Sequence, residues 1–479
     1  MTLARKQSPS ILLVYPSCFN YPEDLERADI KTSQLWLASY LNRFYPVTYA
    51  DFEIEIGRPG TPVQIKRFER KVRQYLSDQP FDILAISCWA SLSYRASLSV
   101  ARACRELFPD RVIAVGGYHA TARPHEFITE ENLFDYVITR EGEIALREIA
   151  DSYDTVGRPS EPKIIVGPTV TGEHFVGYDW DLLEAHYRRA FREPVEAGYI
   201  YLSRGCPFGC SFCMEPAKER IWRAFSPEES VDILFEFVNR FKLFSVGVAD
   251  ACFGMKPAWR KEFLRRLVDR RPEFWLVFET RPEYFDPEDI QMVSHLKAEL
   301  QFGIESGSPE MLLLMRKTKQ PGKYLQRFWE LSQMLTERGV LHRANMIFNH
   351  PGETRKTLDE TFAYMDRFLN QNGSYLMWAN AGYMHFPGCE IDTHRSYYEE
   401  KFGSRFICGD WWNQDGNQNE NCLRFIPSRD LEGDNVNLWE RMMATREGRM
   451  RDCLAPRAFK FAAHKYFLEW QDDYRYASR

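Results

Sequence analysis

Tyr199-Ile200-Tyr201-Leu202-Ser203-Arg204-Gly205-Cys206-Pro207-Phe208-Gly209-Cys210-Ser211-Phe212-Cys213 runs from a short apolar stretch directly into a loop carrying three cysteines. The apolar stretch, Tyr199 to Leu202, predicts a buried strand, so the thiols lie on the loop at its carboxyl end. The other eight of the eleven cysteines stand singly, and a C-x3-C-x2-C triplet arises by chance about 0.006 times at this composition. Gly205, Pro207 and Gly209 suit a loop whose backbone folds closely around a bound group.

Working outward, Phe244–Val248, Trp275–Thr280, Glu299–Ile304 and Arg343–Phe348 repeat the apolar pattern. Amphipathic helices are predicted to start near Ser226, Lys256, Pro287, Pro309 and Thr354, with capping signals at Ser226-Pro227-Glu228-Glu229 and Asp286-Pro287. Repeated strand-helix units predict a partial (β/α)6 barrel over 199–388, with its site at the strand carboxyl ends. Upstream, Ile11–Tyr15, Asp82–Ser87, Val112–Gly117 and Tyr136–Thr139 read as buried parallel strands, and Leu35, Ala38, Leu41 and Phe44 keep helical spacing after the first. Residues 1–150 are therefore an α/β, doubly wound, Rossmann-like domain. Residues 151–198, rich in Gly and Pro, read as a linker with little regular structure, and 389–479 as a small, mostly helical cap with helices near 434–450 and 456–470.

With 479 residues, net charge −6 and 27% charged residues, the chain is an ordinary globular protein without a broad nucleic-acid face. No apolar run reaches the roughly 18 residues of a spanning helix, and Ile11–Tyr15 is too short for a secretory signal; a cytoplasmic protein with reduced thiols is expected. Three thiolates can hold three irons of a four-iron cluster and leave the fourth iron open, whereas zinc prefers four closed ligands, and no second CxxC accompanies the triplet.

The triplet loop resembles the signature loop of the radical S-adenosylmethionine (SAM) enzymes, and further stretches resemble the branch with an N-terminal cobalamin-binding domain. These are Phe302-Gly303-Ile304-Glu305-Ser306-Gly307-Ser308, Lys317, Pro351-Gly352-Glu353-Thr354, Phe386-Pro387-Gly388, Val115-Gly116-Gly117-Tyr118-His119 and Arg140-Glu141-Gly142-Glu143. The resemblance covers about Ile11 to Gly388. It implies that Cys206, Cys210 and Cys213 hold a 4Fe-4S cluster whose open iron is chelated by S-adenosylmethionine. Phe212 would lie beside the adenine, Ile347 to Asn349 near it, and Gly303, Glu305 and Ser306 near the methionine or ribose. Asp250 and Arg281, at strand ends, would supply polar contacts. Glu305 is equally at home in a strand-end salt bridge, and Asp250 and Arg281 in structural roles.

For cobalamin the resemblance implies Ser87, Gly116, Gly117, His119, Glu141, Gly142 and Glu143 around the nucleotide tail. The D-x-H-x-x-G loop is missing: Tyr15 to Tyr21 carries no histidine, so cobalt is expected without a histidine below it. The implied activity is methyl transfer from methylcobalamin to an unactivated carbon of a small-molecule or peptide substrate, with a flavodoxin- or ferredoxin-type electron donor and no nucleic-acid or membrane partner. Alternatives are cyclisation or rearrangement within the family, RNA or protein modification, and a non-catalytic cobalamin-binding or electron-transfer protein. Catalytic acid-base residues are not identified. Cys389, Cys408, Cys422 and Cys453 lack a CxxC core and read as plain thiols, and Trp411 and Trp412 either cover the substrate or pack.

Overall fold

The computed structural model describes residues 8–19, 30–191 and 194–458, which divide into two compact units. The first comprises Met1–Val195, Ala217–Glu219 and Asp410–Asn421; the second comprises Glu196–Pro216, Arg220–Gly409 and Cys422–Arg479. The helix expected near 456–470 falls mainly outside the described residues, as do Arg5, Lys6, Asn20 and Tyr21.

In the first unit six parallel strands are ordered β2-β1-β3-β4-β5-β6: β1 (Ile11–Tyr15), β2 (Val47–Asp51), β3 (Ile83–Ser87), β4 (Val112–Gly116), β5 (Tyr136–Arg140) and β6 (Lys163–Gly167). This is a doubly wound order with its switch between β1 and β3, where ligands bind beyond the strand ends. β1 is buried throughout, as a strand covered on both faces must be. β2 and β6 correct the sequence reading. β2 contains Thr48 and Asp51 and follows Pro46, so its apolar signal is weak. β6 lies inside the stretch expected to be linker; as an edge strand with mostly exposed or half-buried positions it needs no continuous apolar run. Helix Trp180–Ala190, capped by Asp179, follows in the same stretch.

Asp410–Asn421 completes this unit. Trp411 and Trp412 are fully buried; Trp412 Nε1 donates to Glu126 Oε2 at 2.8 Å, and Arg95 pairs with Asp415 at 2.8 Å. The two tryptophans are thus packing residues of the first unit.

In the second unit β7 (Ala197–Ile200), β8 (Ser245–Val248), β9 (Trp275–Thr280), β10 (Ala298–Glu305), β11 (Leu341–Phe348) and β12 (Leu376–Gly382) lie side by side in sequence order, all parallel. That is the order of a (β/α) barrel with six strands. The anticipated caps are present: Ser226 and Asp286 each form a capping box with Pro in the first turn. Helix Pro321–Glu337 and strand β12 carry no signal used in the sequence reading, since β12 is a mixture of Trp, Asn, Ala and Gly without alternation. Helices Leu438–Ala444 and Glu447–Asp452 occupy the region expected to be helical near 434–450. Among the described residues no helix is long and apolar enough to cross a membrane.

Gly117 closes the junction between β3 and β4. Its φ is +107°, and a Cβ there would lie 2.3 Å from the Cys88 carbonyl oxygen. The glycine is demanded by backbone meeting backbone at the switch region. Gly117→Ala should therefore destabilise the first unit by about 3 kcal/mol, measured by denaturant unfolding of the full chain; an unchanged midpoint would contradict the close approach.

Candidate functional site

The chain leaves β7 because Asp250, at the end of β8, captures the next backbone groups. Leu202 N and Ser203 N donate to Asp250 Oδ1 at 2.7 and 2.9 Å, and Ser203 Oγ donates to Oδ2 at 2.6 Å. Asp250 is fully enclosed, and burial pushes its carboxyl up to about 6 against those hydrogen bonds. Ser203–Arg204 then pairs antiparallel with Arg223–Ala224, and the thiol loop is the connection between them.

All three thiols are free, with Cys210 buried and Cys206 and Cys213 half-buried. They stand within electrostatic reach of one another: burial, with the Cys210 and Cys206 charges adding to it, pushes Cys213 up to about 12, and burial likewise raises Cys206. Burial thus favours the neutral thiol at Cys206 and Cys213, and a cation bound there must displace those protons. The loop is pinned through Ser211. Its N donates to Met315 O at 2.9 Å, its carbonyl accepts from Ile391 N at 3.1 Å, and its Oγ lies 3.5 Å from His350 Nε2. Phe212 and Ile347 pack against one apolar set, Tyr383, Cys389, Ile391, Tyr398 and Phe425. Among the described residues no three His, Cys, Asp or Glu side chains gather as a site for a single metal ion.

The ends of β9 and β10 carry a second constellation. Glu305, with φ +69°, forms a buried ion pair with Lys317 at 2.8 Å. A Cβ on Gly303 would lie 2.4 Å from Glu305 Oε1 and 2.7 Å from Lys317 Nζ, so the glycine makes room for the pair. The salt-bridge alternative for Glu305 is thus realised. Arg281 donates to the Lys317 carbonyl at 2.6 Å, pairs with Glu283 at 2.7 Å and stacks 3.9 Å above the Phe208 ring of the thiol loop. Ser306 is fully buried with its hydroxyl 2.8 Å from Thr361 Oγ1, so it fastens the turn to helix Arg355–Leu369.

After β11, Asn349 has φ +55° and donates its N–H to Glu353 Oε2 at 2.7 Å. Glu353 is fully buried, and its Oε1 has no hydrogen-bond partner among the described residues. Lys317 enters the sequence reading only as a landmark, while His350 and Phe208 carry no sequence assignment at all; their neighbourhood in the quoted motifs is the only signal that marks them.

In the first unit the tail candidates fall at the carboxyl ends of β3, β4 and β5, but in two kinds. Ser87, Gly116, Gly117 and Gly142 are half-buried, whereas His119, Glu141 and Glu143 are buried. His119 Nδ1 lies 2.8 Å from Ser91 Oγ and its Nε2 3.2 Å from Glu126 Oε2. Glu141 accepts the backbone N–H of Val170. Among the described residues of the loop after β1 there is no histidine; Ser17 instead donates to Gly57 O at 2.9 Å.

Burial raises the Glu353 carboxyl to about 8, opposed by the Asn349 N–H. A carboxyl with a raised folded value adds stability that is complete below its unfolded value near 4.5 and is lost as pH rises through 8. The expected loss over that window is about 4 kcal/mol. Unfolding free energies of wild type and Glu353→Gln from pH 4.5 to 8 check this: the variant should flatten the slope, and parallel profiles would refute it.

The radical SAM superfamily matches residues 200–365 and the B12 binding domain residues 35–150. The anaerobic magnesium-protoporphyrin IX monomethyl ester cyclase of Cereibacter sphaeroides is 22% identical over 349 residues, 68% of this chain and 55% of that protein. The cobalamin-dependent radical SAM methyltransferase TokK of Streptomyces tokunonensis is 28% identical over 193 residues, 37% of this chain and 28% of that protein. The chain thus spans about half or less of these two curated relatives. The fold is that of the radical S-adenosylmethionine methyltransferase TsrM from Kitasatospora setae, solved with cobalamin and a 4Fe-4S cluster bound: TM-score 0.65, 17% identity, 94% of this chain and 90% of that one. Residues 35–150 thus match the B12 binding domain and residues 200–365 the radical SAM superfamily, in that order along the chain.

Proposed function

We propose that this protein is a cobalamin-dependent radical SAM enzyme that methylates an unactivated carbon of a small-molecule or peptide substrate. The observation that carries the reading is one loop of three free thiols whose Phe208 lies under Arg281 at the end of β9 and whose Ser211 is tied to Met315. Three thiols fit a four-iron cluster with one open corner better than a closed zinc site. When bound, the cluster with S-adenosylmethionine supplies a carbon radical, and cobalamin supplies the methyl group.

The chain's own residues do the rest. Cys206, Cys210 and Cys213 ligate the cluster. Phe212 and Ile347, packed on one apolar set, seat the adenine and keep water from the radical. Gly303, Glu305 and Asn349 shape the lip toward methionine and ribose. Asp250 and Ser306 act through the backbone they hold. Ser87, Gly116, Gly117 and Gly142 would line the cobalamin tail, with His119, Glu141 and Glu143 behind them, and the loop after β1 carries no histidine in its sequence to serve as a cobalt ligand. The working boundaries are 1–150 for the cobalamin-binding domain, 151–198 for the connection, 199–388 for the radical SAM domain and 389–479 for the cap, with β6 and Asp410–Asn421 lent to the first unit. A flavodoxin- or ferredoxin-type protein supplies electrons, and eleven free cysteines suit a reducing cytoplasm. A second reading, radical cyclisation without methyl transfer, rests on the similarity to the cyclase of Cereibacter sphaeroides.

Two variants separate the parts. In anaerobically reconstituted full-length protein given S-adenosylmethionine and a reductant, Cys210→Ala should lose cluster absorption and the formation of 5′-deoxyadenosine while still retaining cobalamin. Gly116→Leu should lower cobalamin retention several-fold and keep the iron. A Cys210→Ala protein that still forms 5′-deoxyadenosine at the wild-type rate would defeat the proposal. Isotope from the S-adenosylmethionine methyl group passing to bound cobalamin distinguishes methyl transfer from the cyclisation reading.

A further inference from the structure

We infer that Arg281 is a positioning residue for the thiol loop, fixing its shape and setting a permanent positive charge beside the group the loop holds, rather than a contact to S-adenosylmethionine; this rests on the cluster reading proposed above. Arg281 follows β9 and is 5% exposed. Its Nε and Nη2 both reach Glu283 Oε1, at 3.1 and 2.7 Å, and Nη2 also donates to the Lys317 carbonyl at 2.6 Å. The central carbon of the guanidinium lies 3.9 Å over the ring centroid of Phe208, which stands between Cys206 and Cys210, and 5.4 Å over that of Tyr324. Phe208 also meets Tyr284, with ring centroids 6.3 Å apart.

These bonds engage Nε and Nη2 with Glu283 and the Lys317 carbonyl, while the charge sits over the Phe208 ring. A guanidinium over an aromatic ring is an attractive, orientation-dependent contact, strongest where water is displaced, and neither the plane nor the fork can be reproduced by a lysine. The contact therefore holds the middle of the Cys206–Cys210 segment against the end of β9, while Ser211 holds its far side against Met315. Arg281 and Lys317 both stand within electrostatic range of Cys210. In this poorly screened setting a fixed cation favours the more negative state of its neighbour. Reduction adds one electron, from the flavodoxin- or ferredoxin-type donor, to the cluster without making or breaking a bond, so the cation raises the reduction potential.

The experiment uses full-length protein reconstituted anaerobically with iron and sulfide, in wild type, Arg281→Met, Arg281→Lys and Phe208→Ala. The readouts are midpoint potential by dye-mediated titration, the rate at which EDTA strips iron, and S-adenosylmethionine affinity by equilibrium dialysis. Arg281→Met should shift the potential negative and speed stripping several-fold. Arg281→Lys should keep a near-wild-type potential yet lose iron faster, and Phe208→Ala should lose iron faster at unchanged potential. An Arg281→Met protein with wild-type potential and stripping rate but weakened S-adenosylmethionine affinity would overturn the inference and make Arg281 a cofactor contact. If Arg281→Met loses its cooperative melt, the other two variants decide: wild-type stripping rates in both overturn it. A wild-type protein that assembles no iron-sulfur absorption overturns the cluster reading itself, whereas an intact wild-type cluster with unaltered variants overturns the Arg281 assignment alone.

Discussion

The buried ion pair of Lys317 with Glu305 is the interaction on which the upper edge of the second unit depends. Two charges this far from water are tolerable only when matched and hydrogen-bonded, and removing either partner leaves an uncompensated charge that costs about 3–5 kcal/mol. The pair fixes the segment around Lys317, and that segment serves three neighbours. The Lys317 carbonyl receives Arg281, the Met315 carbonyl two residues earlier receives Ser211 of the thiol loop, and Gly303 beneath is kept bare so that the charges can meet. Tyr324 completes the arrangement by donating to the Gly303 carbonyl. One helix-to-helix turn thus sets the relation between the thiol loop and the ends of β9 and β10.

Strain is concentrated at the same edge. Glu305 and Asn349, neither of them glycine, both adopt left-handed conformations at the ends of adjacent strands. Such residues persist only where their surroundings over-determine them. Here the Lys317 pair does so for Glu305, and the buried Glu353 carboxyl group, accepting the Asn349 N–H, does so for Asn349. The consequence is geometric: each strand stops abruptly, and the chain turns away before it covers the sheet's end.

Features encoded within a few residues were legible in the sequence. The thiol triplet, the capping boxes at Ser226 and Asp286 and the apolar runs of β1, β3, β9 and β11 each rest on local spacing that the fold has no reason to override. What escaped was set by distant partners. β6 is defined by pairing with β5 rather than by its own apolarity, and β12 by pairing with β11. Trp412 acquires its meaning from Glu126, 286 positions earlier. Within the site, the clustering of Cys206, Cys210 and Cys213 on one loop was readable, whereas the partner that commits Glu305 and the ring that commits Arg281 are properties of packing.

Burial and bonding together sort the remaining candidates. A polar side chain that is wholly enclosed and already hydrogen-bonded cannot turn to a ligand without leaving a buried group unsatisfied, at a cost of about 1–3 kcal/mol. Asp250, Ser306 and His119 are in that position, each holding backbone or a neighbouring side chain in place. Gly303, Ile347 and Asn349 at one sheet end, and Ser87, Gly116 and Gly142 at the other, keep partial access and include few groups that a ligand would have to compete for. Each of these strand ends, taken by itself, presents backbone, small residues and apolar surface, and keeps its charged groups for holding the frame.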